Sequence, residues 1–224
     1  MKIGMMIATE RELKAFLESG SEITEKTVGT RKIYYTEMYG HEICAVRSGF
    51  GELDAAAGTQ FLITVTGCEM VLNFGVAGAL LPGLHVEDLF VVRRVLHYDH
   101  DLSAVDPVKP YQYEEFADEF LPMDDSLIGL VTEEMPEIRQ VTVASGDCFI
   151  ADRARKDELG ALGCSICDME SAAIARVCYT NQVRCLSIKC ISDTLEGDGS
   201  DYEKNVINST TIAFHVIREV LKRL

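Results

Sequence analysis

The sequence of 224 residues lacks the features that would place it in a membrane or send it out of the cell. No stretch approaches the roughly 20 consecutive apolar residues that a membrane-spanning helix needs. The first residues, MKIGMMIATERE, become polar and acidic too early for a secretory signal peptide. No proline-rich or serine-rich linker and no internal repeat divides the chain. We therefore expect a cytoplasmic protein with no membrane partner and a single domain over residues 1–224.

Basic residues are scarce in this chain. The 21 Lys and Arg residues oppose 36 Asp and Glu residues, which gives a formal net charge of −15. A surface of that charge repels polyanions, so we expect no nucleic-acid partner. The long-range charge does not exclude a small substrate that is held in a local pocket.

The sequence also lacks the two closely spaced pairs of cysteine or histidine residues that a zinc site needs. Cys164 and Cys167 form one C-x-x-C pair, but no second ligand pair follows at a comparable spacing, and the five histidines are scattered. Most of the other cysteines lie in apolar or small-residue contexts, where free cysteine behaves as a small hydrophobic residue. We therefore predict no metal and no cofactor.

Helical and strand patterns alternate along the chain, which predicts an α/β sandwich around a largely parallel or mixed sheet. The polar, proline-containing stretch from about 97 to 122 is predicted to be a long loop. Strands are predicted at 2–8, 32–40, 41–49, 70–75, 86–96, 141–145 and 184–192, with the second and third forming a hairpin. Helices are predicted at 10–19, 52–67 with a Gly67 cap, 125–134, 151–162 and 167–178, and at the end of the chain.

Acidic residues and glycines cluster in four segments at the ends of predicted strands, and a fifth acidic segment starts a predicted helix. Ligands of open α/β sheets bind beyond the carboxyl ends of strands, so these segments are the candidate site. Taken singly, each also has a simpler interpretation as a helix first turn, a packing glycine, a core phenylalanine or a turn residue. The segments are IATERE (7–12) with Glu10 and Glu12, NFGVAGAL (73–80) with Gly75 and Gly78, SGDCFIAD (145–152) with Asp147 and Phe149, CDMESAAIARVC (167–178) with Asp168 and Glu170, and KCISDTLEGDGS (189–200) with Ser192 and Asp193.

The order and spacing of these segments resemble the bacterial 5′-methylthioadenosine/S-adenosylhomocysteine nucleosidases of the nucleoside phosphorylase superfamily. The likeness covers almost the whole chain and includes SGFGELDAAAG (48–58) and VEDLFVV (86–92). The resemblance implies a three-layer α/β/α fold with a central mixed β-sheet. It also implies a homodimer and the irreversible hydrolysis of the N-glycosidic bond of adenine nucleosides.

The resemblance further implies roles for individual residues. Glu12 would be the base that activates water, and Asp193, steadied by Ser192, would be the acid that protonates adenine N7. Glu170 would hold the ribose hydroxyls, while Asp168 is expected to cap the following helix or to interact with its dipole. The other expected substrate contacts are Met169 at the sugar, Phe149 stacked on the purine, the Ile150 backbone at the purine, Tyr202 at the 5′ substituent, and Val76, Ala77, Gly78 and Lys189 around the water and sugar.

This chain departs from the family pattern around the water and the 5′ end. Val76 stands where a serine is common, Lys189 where an arginine is frequent, and Thr9 where a methionine is frequent. A lysine keeps the charge of an arginine but loses its planar fork of donors. The loop near 100–115 is expected to complete the partner subunit's site, although Val105 and Pro107 occupy positions where aromatic residues are expected.

Three other functions therefore stay open at this point. A purine nucleoside phosphorylase would use phosphate in place of water, with Arg47 and Lys189 as the candidate cations. A related nucleosidase of the futalosine type would keep the chemistry and change the 5′ substituent. A non-catalytic nucleoside-binding protein would keep the fold and lose the water site.

Overall fold

Strands and helices alternate along the chain in the computed structural model, which describes residues 1–20, 22–197 and 199–224. The strands are β1 (Lys2–Ile7), β2 (Thr24–Val28), β3 (Arg31–Met38), β4 (His41–Arg47), β5 (Met70–Ala79), β6 (Leu89–His97), β7 (Phe120–Pro122), β8 (Arg139–Ser145), β9 (Ile166–Asp168) and β10 (Arg184–Asp193). The helices are α1 (Glu10–Leu17), α2 (Glu52–Thr66), α3 (Asp125–Glu134), α4 (Arg153–Ala161), α5 (Ser171–Asn181) and α6 (Gly199–Leu221).

The strands of the described residues join in one mixed sheet. β1 lies between β4 and β5 and is parallel to both, while β4, β3 and β2 form an antiparallel edge. β5 is also parallel to β10, and β10 pairs in turn with β6. Because β6, β8, β9 and β5 are joined in succession, these strands and β10 close into a ring.

Helices cover both faces of this sheet. α2 packs on α5 and contacts β1 and β4, whereas α6 packs on β5 and β10 and contacts α1 and α3. The predicted three-layer α/β/α sandwich with a central mixed sheet is therefore confirmed. Among the described residues, no helix combines the length and the hydropathy that crossing a membrane would require.

Local sequence signals explain several of these elements. α1 begins at a capping box, in which the Thr9 hydroxyl accepts the Glu12 N–H and the Glu12 carboxylate accepts the Thr9 N–H. α2 ends at Gly67, whose left-handed φ of 66° suits a glycine. Tyr39 and Gly40, with φ of 52° and 80°, form the two-residue turn of the predicted hairpin between β3 and β4.

Three boundaries differ from the sequence prediction. β2, with the sequence TEKTV, was not predicted because it is an exposed edge strand without an apolar alternation. The strand that starts at Met70 continues to Ala79, so the glycine motif belongs to the strand rather than to a turn. The segment 167–178 starts as β9, since its first residues pair with β5 and β8, and its helix begins only at Ser171.

Candidate active site

A cavity of about 290 Å³ opens where β1, β9 and β10 end beside the glycine motif of β5. Its size is at the lower end of the range for small-molecule sites. Parallel strands bring their carboxyl ends to one edge of a sheet, which explains why residues far apart in sequence meet here. The cavity is lined by Ala8, Thr9, Glu12, Phe50, Val76, Ala77, Gly78, Phe149, Cys167, Asp168, Met169, Glu170, Ser192, Asp193 and Tyr202.

Every residue to which the family resemblance assigned a substrate or catalytic role, except Ile150 and Lys189, lines this cavity, whereas Glu10, Gly75 and Asp147 do not. Ile150 lies next to it, in a small adjoining cavity that it shares with Phe149 and Met169. Lys189 lies behind Asp168, with which it forms an ion pair, and is only 2% exposed. The structure therefore brings the predicted residues together, with Lys189 supporting the wall rather than forming it.

Glu12 is buried at the start of α1, where both carboxylate oxygens accept backbone hydrogen bonds. Oε2 accepts the Thr9 N–H at 2.9 Å and Oε1 accepts the Val76 N–H at 3.1 Å. Gly75 makes room for this carboxylate, because a Cβ atom at Gly75 would overlap Glu12 Oε1. Burial raises the pKa of Glu12, against the opposing effects of Lys189 and of the two backbone N–H groups. The interpretation of Glu12 as a solvated first-turn residue is wrong.

Asp193 occupies the last position of β10, on the other side of the glycine motif. The Ser192 hydroxyl donates to Asp193 Oδ1 at 2.9 Å, and a Cβ atom at Gly78 would lie 2.7 Å from Asp193 Oδ2. Burial raises the pKa of Asp193, while the Ser192 hydrogen bond and the charge of Lys156 act in the opposite direction. A buried carboxyl group with a raised pKa can hold a proton for transfer.

Lys156 holds the chain that follows Asp193, and the sequence analysis did not single it out. Its fully buried Nζ donates to the carbonyl oxygens of Thr194, Leu195 and Gly197 at 3.0, 3.2 and 3.2 Å. In the sequence, Lys156 belongs to a highly charged segment, RARKDE, that is typical of a solvated helix face. No local signal distinguishes it from its exposed neighbours.

Asp168 and Glu170 end β9 and start α5, and their environments differ. Asp168 accepts the Ser171 N–H at 3.3 Å and the Ser171 hydroxyl, as expected for a residue that caps α5. It also forms an ion pair with Lys189 Nζ at 2.8 Å, which the sequence did not predict. Glu170 Oε1 accepts the Gly51 N–H at 3.0 Å and makes no capping bond to α5.

The charge of Lys189 determines how these acids ionise. Burial alone would raise the pKa of Asp168, but Lys189 and the hydroxyls of Ser171 and Ser145 bring that pKa below its ordinary value. Burial also opposes the charge of Lys189, yet the surrounding carboxylates keep its pKa above its ordinary value. Lys189 also lowers the pKa of Glu170, but burial and the charge of Asp168 outweigh it and raise that pKa to about 8.

Glu52, at the start of α2, is a second residue that the sequence analysis missed. It is 7% exposed; its Oε1 forms a hydrogen bond of 2.5 Å with the Ser145 hydroxyl, and its Oε2 accepts the Ala173 N–H at 2.6 Å. Burial raises the pKa of Glu52 to about 8, and the charges of Asp168 and Glu170 act in the same direction. Its sequence context, an acid in a first helical turn, gives the same signal as any exposed first-turn acid.

Aromatic side chains border the open side of the cavity. Phe149 is 47% exposed, so its interpretation as a core residue is wrong. The Phe149 and Tyr202 rings lie edge to face with centroids 6.2 Å apart. Phe50, from the loop before α2, lines the same cavity and was not predicted. These rings offer flat apolar surfaces to a planar ligand.

The two candidate cations of a phosphate site lie outside the cavity, and each is paired with a carboxylate. Arg47 pairs with Glu10 at 3.2 Å and lines a separate cleft with Arg31 and Lys32. Lys189 is already paired with Asp168. Within the described part of the chain, no arginine lines the cavity.

The two cysteines of the C-x-x-C pair are buried and free. Cys167 lines the cavity, and burial raises the pKa of its thiol. Among the described residues, no three His, Cys, Asp or Glu side chains are grouped so that they could hold a metal ion.

The loop between β6 and β7, residues 98–119, does not line the cavity of its own chain. It is anchored to α5 by the ion pair between Arg176 and Glu115 at 2.5 Å and by the Phe116 and Tyr179 rings. The tip of this loop exposes 78% of Val105.

Comparison with known proteins agrees with this geometry. A model of the Phosphorylase superfamily matches residues 2–223. The aminodeoxyfutalosine nucleosidase of Campylobacter jejuni is 28% identical over 230 residues, which cover 100% of both chains. A 5′-methylthioadenosine/S-adenosylhomocysteine nucleosidase of Anoxybacillus flavithermus is 30% identical over 211 residues, which cover 86% of this chain and 85% of that protein.

A solved structure shows the same similarity in three dimensions. The Helicobacter pylori 5′-methylthioadenosine/S-adenosylhomocysteine nucleosidase, complexed with a 4-aminopyrrolopyrimidine linked to a pyrrolidinol, superimposes with a TM-score of 0.94 at 28% identity. The superposition covers 100% of this chain and 99% of that one. Because the superfamily model spans almost all of the sequence and the fold agrees over its full length, the chain belongs to the phosphorylase superfamily.

Proposed function

We propose that this protein hydrolyses the N-glycosidic bond of adenine nucleosides and releases adenine and a 5′-substituted ribose. The observation that carries the proposal is one cavity lined by the buried carboxyl groups of Glu12, Glu170 and Asp193, which come from separate strand ends. The names of the relatives, nucleosidases for aminodeoxyfutalosine and for methylthioadenosine and adenosylhomocysteine, support the same reaction.

The chemistry of the bond explains why such a site needs several carboxyl groups. As the bond between C1′ and N9 breaks, positive charge develops on the ribose and negative charge on the departing base. We assign Asp193 to protonate adenine N7, which neutralises the base. We assign Glu12 to accept a proton from the water that attacks C1′, so that the oxygen ends on the sugar. Each acid or base contributes about 10²- to 10⁴-fold to such a rate.

The two environments suit the two assignments. Burial raises the pKa of Asp193 against the Ser192 hydrogen bond and the charge of Lys156, which favours the protonated form that an acid needs. The pKa of Glu12 is also raised by burial, but Lys189 and two backbone N–H groups act on its charged form. Two carboxyl groups in different environments can hold different protonation states at one pH.

We assign the remaining lining residues to substrate binding. Glu170 accepts the ribose hydroxyls beside Met169, Phe149 stacks on the purine next to the Ile150 backbone, and Tyr202 contacts the 5′ substituent. Phe50 joins Tyr202 at this open end. Methylthioadenosine, adenosylhomocysteine, 5′-deoxyadenosine and a futalosine-like nucleoside all share the adenine-type core that this assignment addresses.

We also propose a cytoplasmic homodimer of one-domain subunits, in which the loop near 100–115 completes the partner's site. The exposed apolar side chains near the cavity mouth and on that loop support a paired surface: Phe50 is 62% exposed, Leu53 81% and Val105 78%. Eight free cysteines support a reducing compartment. Sedimentation of the purified protein, compared with a Val105→Asp variant, would test the dimer.

A product assay in phosphate-free buffer tests the reaction. With methylthioadenosine or adenosylhomocysteine, we expect free adenine and the corresponding free thioribose. Glu12→Gln keeps the shape of the side chain but cannot take the proton, so it should lose at least about 10²-fold in kcat. Glu10→Gln, which changes an exposed acid on the same helix, serves as the matched control.

Two outcomes would point to the other functions. The 1-phosphate of the 5-thio-substituted ribose, formed only after phosphate is added, would identify a phosphorylase. Adenine nucleoside binding with no turnover at high protein concentration would identify a binding protein. The engagement of Arg47 and Lys189 by carboxylates argues against the phosphate site.

A further inference from the structure

Glu52 is a buried carboxyl group for which the proposed reaction has no step. It lies at the first position of α2, directly after Gly51, and its side chain reaches across to the start of α5. A carboxyl group is expensive to bury, so its contacts should account for its place.

The contacts form a reciprocal clamp between the starts of two helices. Gly51 N–H donates to Glu170 Oε1 at 3.0 Å, so the α2 side holds the carboxylate assigned to the ribose. The Ala173 N–H of α5 donates to Glu52 Oε2 at 2.6 Å. In this way α5 holds Glu52, the residue that directly follows Gly51. Each helix start thus binds a carboxyl group of the other. If the Glu52 bond were lost, Gly51 could move relative to Glu170.

We infer that Glu52 is a positioning residue, which fixes the carboxylate of Glu170 through this clamp and does so as a neutral carboxylic acid. The inference deepens the proposed function and rests on it, because Glu170 is assigned there to the ribose hydroxyls. Glu52 itself does not line the cavity.

The hydrogen bonds of Ser145 support a protonated, neutral Glu52 side chain. The Ser145 oxygen accepts the Ala172 N–H at 3.1 Å and lies 2.5 Å from Glu52 Oε1, and its hydroxyl also helps to lower the pKa of Asp168. A serine hydroxyl has one proton to donate. Asp168 is ionised against Lys189, so it needs that proton. Both contacts are then satisfied if Glu52 carries its own proton and donates it to Ser145.

The charges that face Glu52 favour the same state. Asp168 and Glu170 face it from β9 and the start of α5, and Asp147, after β8, accepts its backbone N–H at 2.6 Å. Tyr113 faces it from the long loop, and Lys189, the cation of this network, is paired with Asp168. An ionised Glu52 would repel three carboxyl groups. Burial, the largest effect, raises its pKa to about 8.

The test measures the ribose part of ligand binding as a function of pH. The probes are 5′-methylthio-7-deazaadenosine and 7-deazaadenine, which lack N7 and therefore do not depend on the Asp193 proton. The dissociation constant of 7-deazaadenine divided by that of 5′-methylthio-7-deazaadenosine, from calorimetry at pH 6 to 10, isolates the contribution of the sugar and its 5′ group. Glu52→Gln mimics the neutral acid, Glu52→Ala removes the clamp, and Asp54→Asn is the matched control in the same helical turn.

We expect Glu52→Gln to keep the wild-type ratio within about twofold at pH 7 and to hold it at high pH. Above pH 9, where Glu52 ionises in the wild type, the wild-type ratio should fall roughly fivefold relative to that of Glu52→Gln. A change of this size corresponds to a pKa shift of somewhat less than about one unit between the bound and free protein. Ionisation of Glu170 occurs in both proteins, so the difference reports Glu52. Glu52→Ala should lose about tenfold in the ratio at every pH, and Asp54→Asn should follow the wild type.

Three results would overturn the inference. Wild type and Glu52→Gln could follow the same curve up to pH 10, or Glu52→Gln could lose more than about tenfold at pH 7. Glu52→Ala could also fold and leave the ratio unchanged. In these cases hydrolysis of adenine nucleosides by the wild type would still stand. If the folded wild type binds neither probe and releases no adenine, the proposed function fails and this inference fails with it.

Discussion

The Asp193 end of the cavity (Asp193, Ser192 and Gly78) and the Lys189 end (Lys189, Asp168 and Glu170) both bury acids, but they use their cations differently. Lys189 Nζ touches Asp168 at 2.8 Å, and the pKa of that acid is lowered despite its burial. Lys156, beside the Asp193 end, donates to three carbonyl oxygens instead, and the pKa of Asp193 stays raised. Both acids are buried, so direct contact with the cation accounts for the opposite directions of their pKa shifts.

Removing the proton donor of the Asp193 end should produce the largest effect. Asp193→Asn keeps the side-chain shape but cannot protonate the base, so kcat should fall about 10²- to 10⁴-fold while nucleoside still binds. Steady-state kinetics and a binding titration would check both parts. Asp157→Asn, at an exposed acid, should behave as the wild type, and normal turnover in Asp193→Asn would mean that the acid is another residue.

Removing the cation of the Lys189 end should mainly reduce stability. Lys189→Met leaves Asp168 buried and unpaired, which costs about 3–5 kcal/mol of unfolding free energy in comparable pairs. Denaturant unfolding would measure this loss, and adding Asp168→Asn to Lys189→Met should recover part of it. Lys32→Met breaks an exposed pair with Glu25 and should cost less than about 1 kcal/mol. Equal effects of the two lysine variants would contradict the special contribution of the buried Lys189–Asp168 pair.

The smallest expected effect is a pH dependence of stability at the Asp193 end. Since burial raises the pKa of Asp193 in the folded protein, its contribution is fully present at low pH and is lost as the pH rises through the folded-state pKa. Asp193→Asn cannot ionise, so it should be more stable than the wild type at pH 7, and the difference should vanish near pH 3.5. Unfolding curves of both proteins across this range would check it. A difference that grows toward low pH would contradict the raised pKa.

Part of the site was predictable because its signals are local. Glu12 and Asp193 each lie at the end of an apolar strand, where α/β folds place ligands, and Glu170 lies at the start of a predicted helix. The glycine motif was also recognised, although for a different reason: Gly75 and Gly78 make room for Glu12 and Asp193 rather than for a ligand alone.

Other parts could not be read from any short segment. Glu52 and Lys156 have the sequence context of solvated helix residues, yet both are buried and bind backbone groups of other elements. The helix start at Ser171 was missed since the preceding residues pair with two strands. Pairing of this kind depends on segments that lie far apart in the chain.

The sequence by itself determined the order of elements, the hairpin, the Gly67 cap and the strand-end carboxyl groups, because hydrophobic periodicity and turn chemistry act between near neighbours. Only the tertiary structure decided which carboxyl group meets a cation, which hydroxyl is shared and which acids are sealed from water. Those outcomes depend on distances of about 3 Å between remote residues and on the loss of solvent around them, and both arise only when the chain is folded.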